Sequence, residues 1–169
     1  MDQSTINFKV FEDGTEHLGV ASVTLPDVNF LTQTIAGAGI GGNVEVPIVG
    51  MLDAMSMTIA FRTFQKNAVK LSAPKRHNIE LRSAQQIEDP VKGVLSADAV
   101  KHVMVVLPKS NKGGTVQPAA PTDGSGEYSV RYWKTTINGE VVMEIDPINF
   151  ICKIDGVDYL ADVRKALGD

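Results

Sequence analysis

The chain has 169 residues, of which 43% are apolar, a formal net charge of −4 and a single cysteine. This length fits one domain, so we expect residues 1–169 to fold as a single unit with a core that needs no disulfides. The lone cysteine excludes an internal disulfide and a cysteine-based zinc cluster, and the acidic balance disfavours a protein that grips phosphates, which usually carries a basic patch.

The first predicted elements are strands joined by a tight turn. Val10–Glu12 and Leu18–Val23 flank Asp13 and Gly14, a pair of residues that commonly reverses the chain between strands. The glycine-rich stretch Ala36–Asn43 follows, and we expect a loop there.

The clearest strand is Ala54–Arg62, where large apolar side chains alternate with small or polar ones. A period of two differs from the 3.6-residue period of a helix and predicts a half-buried antiparallel strand. The core-facing set is Met55, Met57, Ile59 and Phe61, and the opposite set is Ala54, Ser56, Thr58, Ala60 and Arg62.

The middle of the chain predicts one short helix and further strands. The helix is expected around Gln65–Ala73, because Pro74 would stop it. Ile79–Ala84 alternates weakly, and Ala99–Leu107 is a dense apolar run typical of a covered strand. Lys109–Gly126 is rich in Gly, Pro, Ser and Thr, so we expect a long loop that is mobile or ordered by a partner.

The last quarter predicts a hairpin, a short strand and a closing helix. Asn138 and Gly139 lie between strand-like runs, which is the strongest short hairpin signal. Asp146 and Pro147 then end regular pairing. A strand over Phe150–Ile154 leads to a helix for which Asp158 is the expected cap. The apolar residues of that helix are Tyr159, Leu160, Val163, Ala166 and Leu167.

These segments carry a family resemblance. Glu144–Asn149 (E-I-D-P-I-N), Ile154–Leu160 (I-D-G-V-D-Y-L) and the final Leu-Gly resemble the C-terminus of the major tail tube proteins of contractile-tailed bacteriophages and of R-type phage-tail-like bacteriocins. Further segments match the family in its order along the chain, namely Ser22–Pro26, Gly37–Gly39, Val46–Ile48 and Leu52–Ser56. Together with the C-terminal segments they cover roughly half the chain.

The resemblance implies a mainly β structural protein and not an enzyme. It implies an antiparallel β-sandwich or partial barrel with a short internal helix and a C-terminal helix, and hexameric rings that close a shared β-barrel and stack into a tube. The implied partners are other copies of the chain, a contractile sheath, baseplate and tail terminator proteins, and DNA that passes without specific binding. The implied location is the virion tail or a phage-tail-like particle, assembled in the bacterial host cytoplasm. A phage and a bacteriocin are not distinguished.

Three sets of residues follow as expected assembly sites. Ala54, Ser56, Thr58, Ala60 and Arg62 would face the lumen; Gly37, Gly39, Gly41, Gly42, Gly113 and Gly114 would lie in inter-subunit loops; Leu160, Val163 and Leu167 would form the packing face of the closing helix. Six copies carry 6 × −4 = −24 charges, so we also expect a channel that repels phosphates.

Other interpretations have less support. Gly37–Gly42 satisfies G-x-G-x-x-G, but the residues that follow alternate around Pro47 and do not predict the helix that a dinucleotide site needs. The three histidines are far apart, so we expect no metal and no cofactor. No apolar run approaches the ~20 residues of a membrane span, and no signal peptide is visible. The alternatives are a secretion tube protein of the haemolysin-coregulated type and, more remotely, a monomeric ligand-binding β-domain.

Overall fold

A computed structural model describes residues 1–17 and 19–168, which form a mainly antiparallel β protein with two short helices. In chain order the elements are β1 (Asp2–Glu12), β2 (Thr15–His17), β3 (Val20–Thr24), β4 (Phe30–Ile35), β5 (Val44–Leu52), β6 (Met55–Phe61), α1 (Lys66–Leu71), β7 (His77–Glu88), β8 (Leu95–Lys112), β9 (Gly124–Ile137), β10 (Glu140–Asp146), β11 (Ile151–Ile154), β12 (Val157–Asp158) and α2 (Ala161–Ala166).

One branched sheet contains all strands except β4 and β5, which form a separate hairpin. Its main path runs β12-β11-β10-β9-β8-β7-β1-β2. The branch arises on β9, whose first half pairs with β6 and whose second half pairs with β10; β6 in turn pairs with β3. Within the described residues the sheet does not close into a barrel.

Two tight turns occur where the sequence predicts them. Asn138 and Gly139 have φ of 50° and 81°, the left-handed pair that a two-residue hairpin between β9 and β10 requires. The Asn138 backbone N–H donates to the Ala99 carbonyl (2.8 Å), which fixes the turn against β8. Asp13 and Gly14, with φ of 48° and 82°, join β1 to β2 in the same way.

The core follows from the alternation on β6. Met55, Met57, Ile59 and Phe61 are each at most 4% exposed, as predicted, and burying each such side chain stabilises the fold by roughly 1.5–3 kcal/mol. They pack with side chains from β1, α1, β7, β8, β9 and β10, namely Val10, Ala68, Leu71, Ile79, Leu81, Met104, Val106, Tyr128, Val130, Trp133 and Ile145.

A register shift on β9 changes which side chains face the core. Val106 pairs with Val130 but Val105 pairs with Tyr132, so Arg131 is an extra residue between them. The shift explains how Val130 and Trp133, three residues apart, are both buried whereas Arg131 is exposed.

Two elements have boundaries that differ from the sequence-based expectations. The predicted loop over Lys109–Gly126 is wrong at both ends, because β8 continues to Lys112 and pairs there with the start of β9. Only residues 113–123 connect the two strands. The closing helix begins at Ala161 and not after Asp158; Asp158 lies in β12, and its Oδ1 accepts the Leu160 N–H in the turn before the helix (3.1 Å).

Candidate assembly surfaces

The outer face is the surface of β3, β6, β9 and the end of β8 that points away from the core. Residues directly opposite each other in an antiparallel pair share a face, so the register places side chains of the neighbouring strands beside Ser56, Thr58 and Ala60. The resulting row of small and hydroxyl side chains is Ser22, Thr24, Ser56, Thr58, Ala60, Ser125 and Ser129. This face is therefore poor in apolar contacts.

The outer face is not acidic. Lys109 Nζ lies 3.2 Å from Glu127 Oε1 and 3.0 Å from Ser56 Oγ, so the acidic residue is paired. Lys112 pairs with Ser125 on the same strands, which adds a second cation. If this face lines a channel, the expectation of a strongly phosphate-repelling wall, based on net charge alone, does not hold.

Two strand edges at either side of this face have no partner strand among the described residues. β3 pairs only with β6, so its other edge is free. β7 begins at His77, which pairs with Val106, so residues 107–112 of β8 extend beyond β7 and pair only with β9. Unpaired edges present rows of N–H and C=O groups that can accept another strand.

The β4–β5 hairpin is an exposed apolar projection, and its strands are not predicted from the sequence. Its exposed side chains include Ile35, Val44, Ile48 and Val49, and Val49 is 63% exposed. The glycine-rich loop is its tip, with Gly37, Gly39, Gly41 and Gly42 all exposed. Because a strand follows this loop, the G-x-G-x-x-G motif has no helix N-terminus on which a pyrophosphate could sit.

The base of the hairpin meets the C-terminal segment at Gly50. A Cβ atom at Gly50 would lie 2.4 Å from Leu160 Cδ2, so this close approach requires glycine. Beside it, Phe30, Ile48, Val49, Ile154 and Tyr159 line an apolar groove of about 290 Å³ together with Cys152. Burial raises the pKa of the Cys152 thiol, so the thiol is a poor nucleophile.

The closing helix has no buried residue of its own, but the apolar residues that flank it differ in exposure. Leu160 is buried, Val163 is half-buried and Leu167 is 61% exposed. Arg164 donates to the Phe150 carbonyl (2.6 Å) and pairs with Asp158, and the hydrogen bond from Arg164 lowers the pKa of the Asp158 carboxyl. The helix is thus attached to its own subunit and still presents Leu167 to the surroundings.

The connection between β8 and β9 is closed at its base. The Thr115 N–H donates to the Thr122 carbonyl (2.8 Å) and the Thr122 N–H donates to the Arg62 carbonyl (3.0 Å). Gly114 has φ of +84°, and a Cβ there would lie 2.1 Å from the Thr122 carbonyl oxygen. Residues 116–120 beyond this base are exposed.

Two buried polar networks are not predicted from the sequence. Glu12 accepts from the rings of both His17 and His77, and the other ring nitrogen of His77 contacts the Ala73 carbonyl. His102 Nδ1 accepts from Trp133 Nε1 (3.2 Å) and lies 2.9 Å from Thr135 Oγ1. Both networks connect separate strands and indicate structural roles.

Neither network resembles a metal centre. Among residues 1–17 and 19–168, no group of three His, Cys, Asp or Glu side chains is arranged to hold a metal ion. Over the same residues, no helix has the length and apolar character to cross a membrane.

The sequence is similar to known proteins over nearly its whole length. The family model described as phage tail tube protein FII matches residues 2–168. The tail tube protein of Escherichia phage P2 is 30% identical over 162 residues, which cover 94% of this chain and 93% of the relative. The major tail tube protein of Serratia phage KSP20 is 28% identical over 168 residues, 95% and 93% of the two chains.

Solved structures share the fold. A chain of the extended sheath-tube complex of the extracellular contractile injection system PVC matches with a TM-score of 0.53 and 11% identity over 77% of this chain and 88% of that chain. A chain of the PVC sheath/tube terminator matches with a TM-score of 0.53 and 12% identity, covering 78% and 94%. The resemblance deduced from the C-terminal motifs is confirmed: the chain belongs to the phage tail tube protein FII family, and it is a structural tail tube protein and not an enzyme.

Proposed function

We propose that six copies of the chain form a ring whose strands close one continuous β-barrel, and that such rings stack into the inner tube of a contractile tail. The observation that supports it most is the pair of free strand edges on β3 and on residues 107–112 of β8, which bound the outer face on opposite sides. A head-to-tail contact between two different edges closes into a ring when its rotation allows.

Strand direction supports this closure. β3, β6, β9 and β8 are antiparallel to their successive neighbours, so β3 and β8 run in opposite directions. The β8 edge of one copy therefore meets the β3 edge of the next in antiparallel orientation, and every further copy repeats the pattern. Closure would remove both exposed edges, as barrels do.

The size of the barrel follows from strand number. Six copies of these four strands give 6 × 4 = 24 strands. At a spacing of ~4.8 Å the backbone diameter is about 37 Å for upright strands and about 48 Å at a tilt near 40°. That lumen is wide enough for a linear polymer to pass.

In this ring the outer face becomes the channel wall. Ala54, Ser56, Thr58, Ala60 and Arg62 then face the lumen, since Met55, Met57, Ile59 and Phe61 on the other side are buried. Small and hydroxyl side chains offer little apolar contact, which supports passage of DNA without specific binding. In a phage-tail-like particle the same tube would puncture a membrane.

The remaining exposed elements supply contacts between subunits. The exposed apolar side chains of the β4–β5 hairpin and Leu167, directly after α2, are candidates for burial against neighbouring copies. The loops that carry Gly37, Gly39, Gly41 and Gly42, and Gly113 and Gly114, would become ordered in the tube. Hydrogen exchange should show stronger protection of residues 36–43 and 113–123 in tubes than in free subunits; equal protection would contradict this role.

The outer partners would be a contractile sheath, a baseplate and a tail terminator. The support is that the similar PVC chains come from a sheath-tube complex and from a sheath/tube terminator. The location would be the virion tail or a related particle, after assembly in the bacterial host cytoplasm. The two sequence relatives are phage proteins, which favours a phage tail.

A pair of proline variants tests the closure. The N–H groups of adjacent strand residues point to opposite sides, so of Ser110 and Asn111 one donates toward β9 and the other toward the free edge. Both side chains are exposed, which makes the two variants a matched pair. Ser110→Pro and Asn111→Pro should differ in monomer stability, and the variant that leaves the monomer more stable should still abolish rings in negative-stain images. Normal rings from that variant would contradict the proposal.

A further inference from the structure

A cationic cleft lies where residues 107–112 of β8 leave β7. Its volume is about 250 Å³, and its lining includes Arg76, Leu107, Arg131 and Asp146. Arg76 directly precedes β7, and Arg131 is the extra residue on β9. Both arginines are exposed, and neither guanidinium makes a hydrogen bond or ion pair with the described residues.

The positive charges of the two arginines are not neutralised within the same copy. The one carboxylate in its lining, Asp146, is already occupied: Oδ1 accepts the N–H groups of Ile148 (3.1 Å) and Asn149 (3.2 Å), and Oδ2 accepts from Asn149 Nδ2 (2.7 Å). Two guanidinium groups therefore face one carboxylate that lies beyond ion-pair distance. Covering them with a neutral surface would be costly, because a buried charge needs a paired partner.

Chain direction indicates what covers the cleft. When β3 of a neighbouring copy runs antiparallel along the free edge of β8, its C-terminal end points toward Leu107 and the start of β7. Strand β3 ends at Thr24, and three residues later comes Asp27. If the five residues of β3 pair along residues 108–112, the residue after β3 lies opposite Leu107. Arg76, which directly precedes His77, leads into β7 at this same level. Because β7 occupies the β8 edge from Val106 onward, the neighbouring chain leaves the edge beside Arg76, and Asp27 follows two residues after Leu25.

Asp27 is suited to this contact. It is exposed and makes no hydrogen bond or ion pair with the described residues of its own copy. We infer that Asp27 of one copy enters the cleft of the next and pairs with Arg76 and Arg131, an inference that rests on the proposed ring closure. The partner of this surface is a second copy of the chain, and the contact fixes the register of strand pairing between copies.

Charge reversal tests the pairing. Asp27→Lys and the double variant Arg76→Glu/Arg131→Glu should each raise the protein concentration needed for ring formation by roughly 100-fold or more, the scale expected for breaking a desolvated charge pair. Asp2→Lys and Lys66→Glu/Lys92→Glu make the same charge changes at exposed sites elsewhere and should assemble as wild type. All variants should keep the wild-type Tm as monomers within a few degrees, since every replaced side chain is exposed.

Mixing the two reversed proteins provides the decisive arm. Consider a ring in which the Asp27→Lys variant alternates with the Arg76→Glu/Arg131→Glu variant. At one kind of interface the native Asp27 faces the two native arginines, and at the other the introduced lysine faces the two introduced glutamates. The charges are complementary at both. A 1:1 mixture should therefore recover rings that neither variant forms alone, and alternation closes only with an even number of copies.

The possible failures can be told apart. Absence of rings from the wild-type protein would overturn the proposed function itself. Wild-type rings together with normal assembly of Asp27→Lys, or no recovery on mixing, would overturn this inference and leave ring closure standing. If the arginine variant alone fails, another acidic group occupies the cleft and the assignment of Asp27 is wrong.

Discussion

Substituting Gly50 by alanine tests how the hairpin and the C-terminal segment hold each other. Gly50 has φ of +67°, and a Cβ there would lie 2.4 Å from Leu160 Cδ2 and 2.5 Å from Leu160 Cγ. The left-handed conformation costs a non-glycine residue about 1–2 kcal/mol. Expelling the buried Leu160 adds a cost comparable to a Leu→Ala change in a core, ~2–5 kcal/mol. We expect Gly50→Ala to lower the free energy of unfolding by about 3–7 kcal/mol.

Gly139→Ala separates the two contributions. Gly139 has φ of +81°, and no atom lies within 4 Å of the position that an added methyl group would take. Only the conformational cost of about 1–2 kcal/mol therefore applies there. In a Leu160→Ala background the collision is relieved, and Gly50→Ala should then cost no more than Gly139→Ala. The double-mutant cycle should give a coupling energy equal to the collision cost, roughly 2–5 kcal/mol.

Urea unfolding of the monomer, followed by circular dichroism, measures all of these free energies. The slope m should stay constant while the midpoint shifts. If Gly50→Ala and Gly139→Ala differ by less than about 0.5 kcal/mol, or if the cycle shows no coupling, the packing of Leu160 against Gly50 is refuted.

Three further predictions concern the faces of β6, the buried histidine and the closing helix. Ile59→Asp should prevent folding, because it places an unpaired charge at a position with 0% exposure. Ser56→Leu, on the opposite face, should change the free energy of unfolding by no more than about 1 kcal/mol. The opposite result would reverse the assigned faces. Burial holds the pKa of His102 in the folded protein below its ordinary value. At a pH between the folded and the unfolded pKa, the unfolded chain binds a proton that the folded chain does not. The stability that is present at higher pH is therefore lost on acidification. His102→Gln should reduce this loss by up to about 1.4 kcal/mol per pH unit between the two pKa values; an unchanged pH profile would contradict it. Truncation after Asp158 removes the buried Leu160 and should abolish tubes in electron micrographs, and normal tubes would show that α2 is dispensable.

The elements that can be predicted from the sequence are those whose signal is local. The alternation from Met55 to Phe61 needs only the rule that successive strand residues point to opposite sides, and the Asn138-Gly139 turn needs only positive φ at two residues. The C-terminal motifs identify the family. The helix expected around residues 65–73 is found at Lys66–Leu71, within two residues at each end, because Pro74 prevents its continuation.

What the sequence could not predict depends on distant pairing. Residues 108–112 have the composition of a loop, and they form a strand because β9 pairs with them. The Glu12–His77 contact joins residues 65 positions apart, so no spacing rule detects it. The position of Arg131 in a cleft with Arg76 arises from the register shift on β9, which becomes visible only in the folded chain.

A cryo-EM reconstruction of tubes assembled from the purified protein would show directly how neighbouring copies are joined. We expect six-fold rings in which one sheet continues from residues 107–112 of β8 in each copy to β3 of the next, with Ser56 and Thr58 facing the lumen. Rings of another symmetry, or copies joined only through the β4–β5 hairpin with both strand edges still unpaired, would contradict the shared barrel.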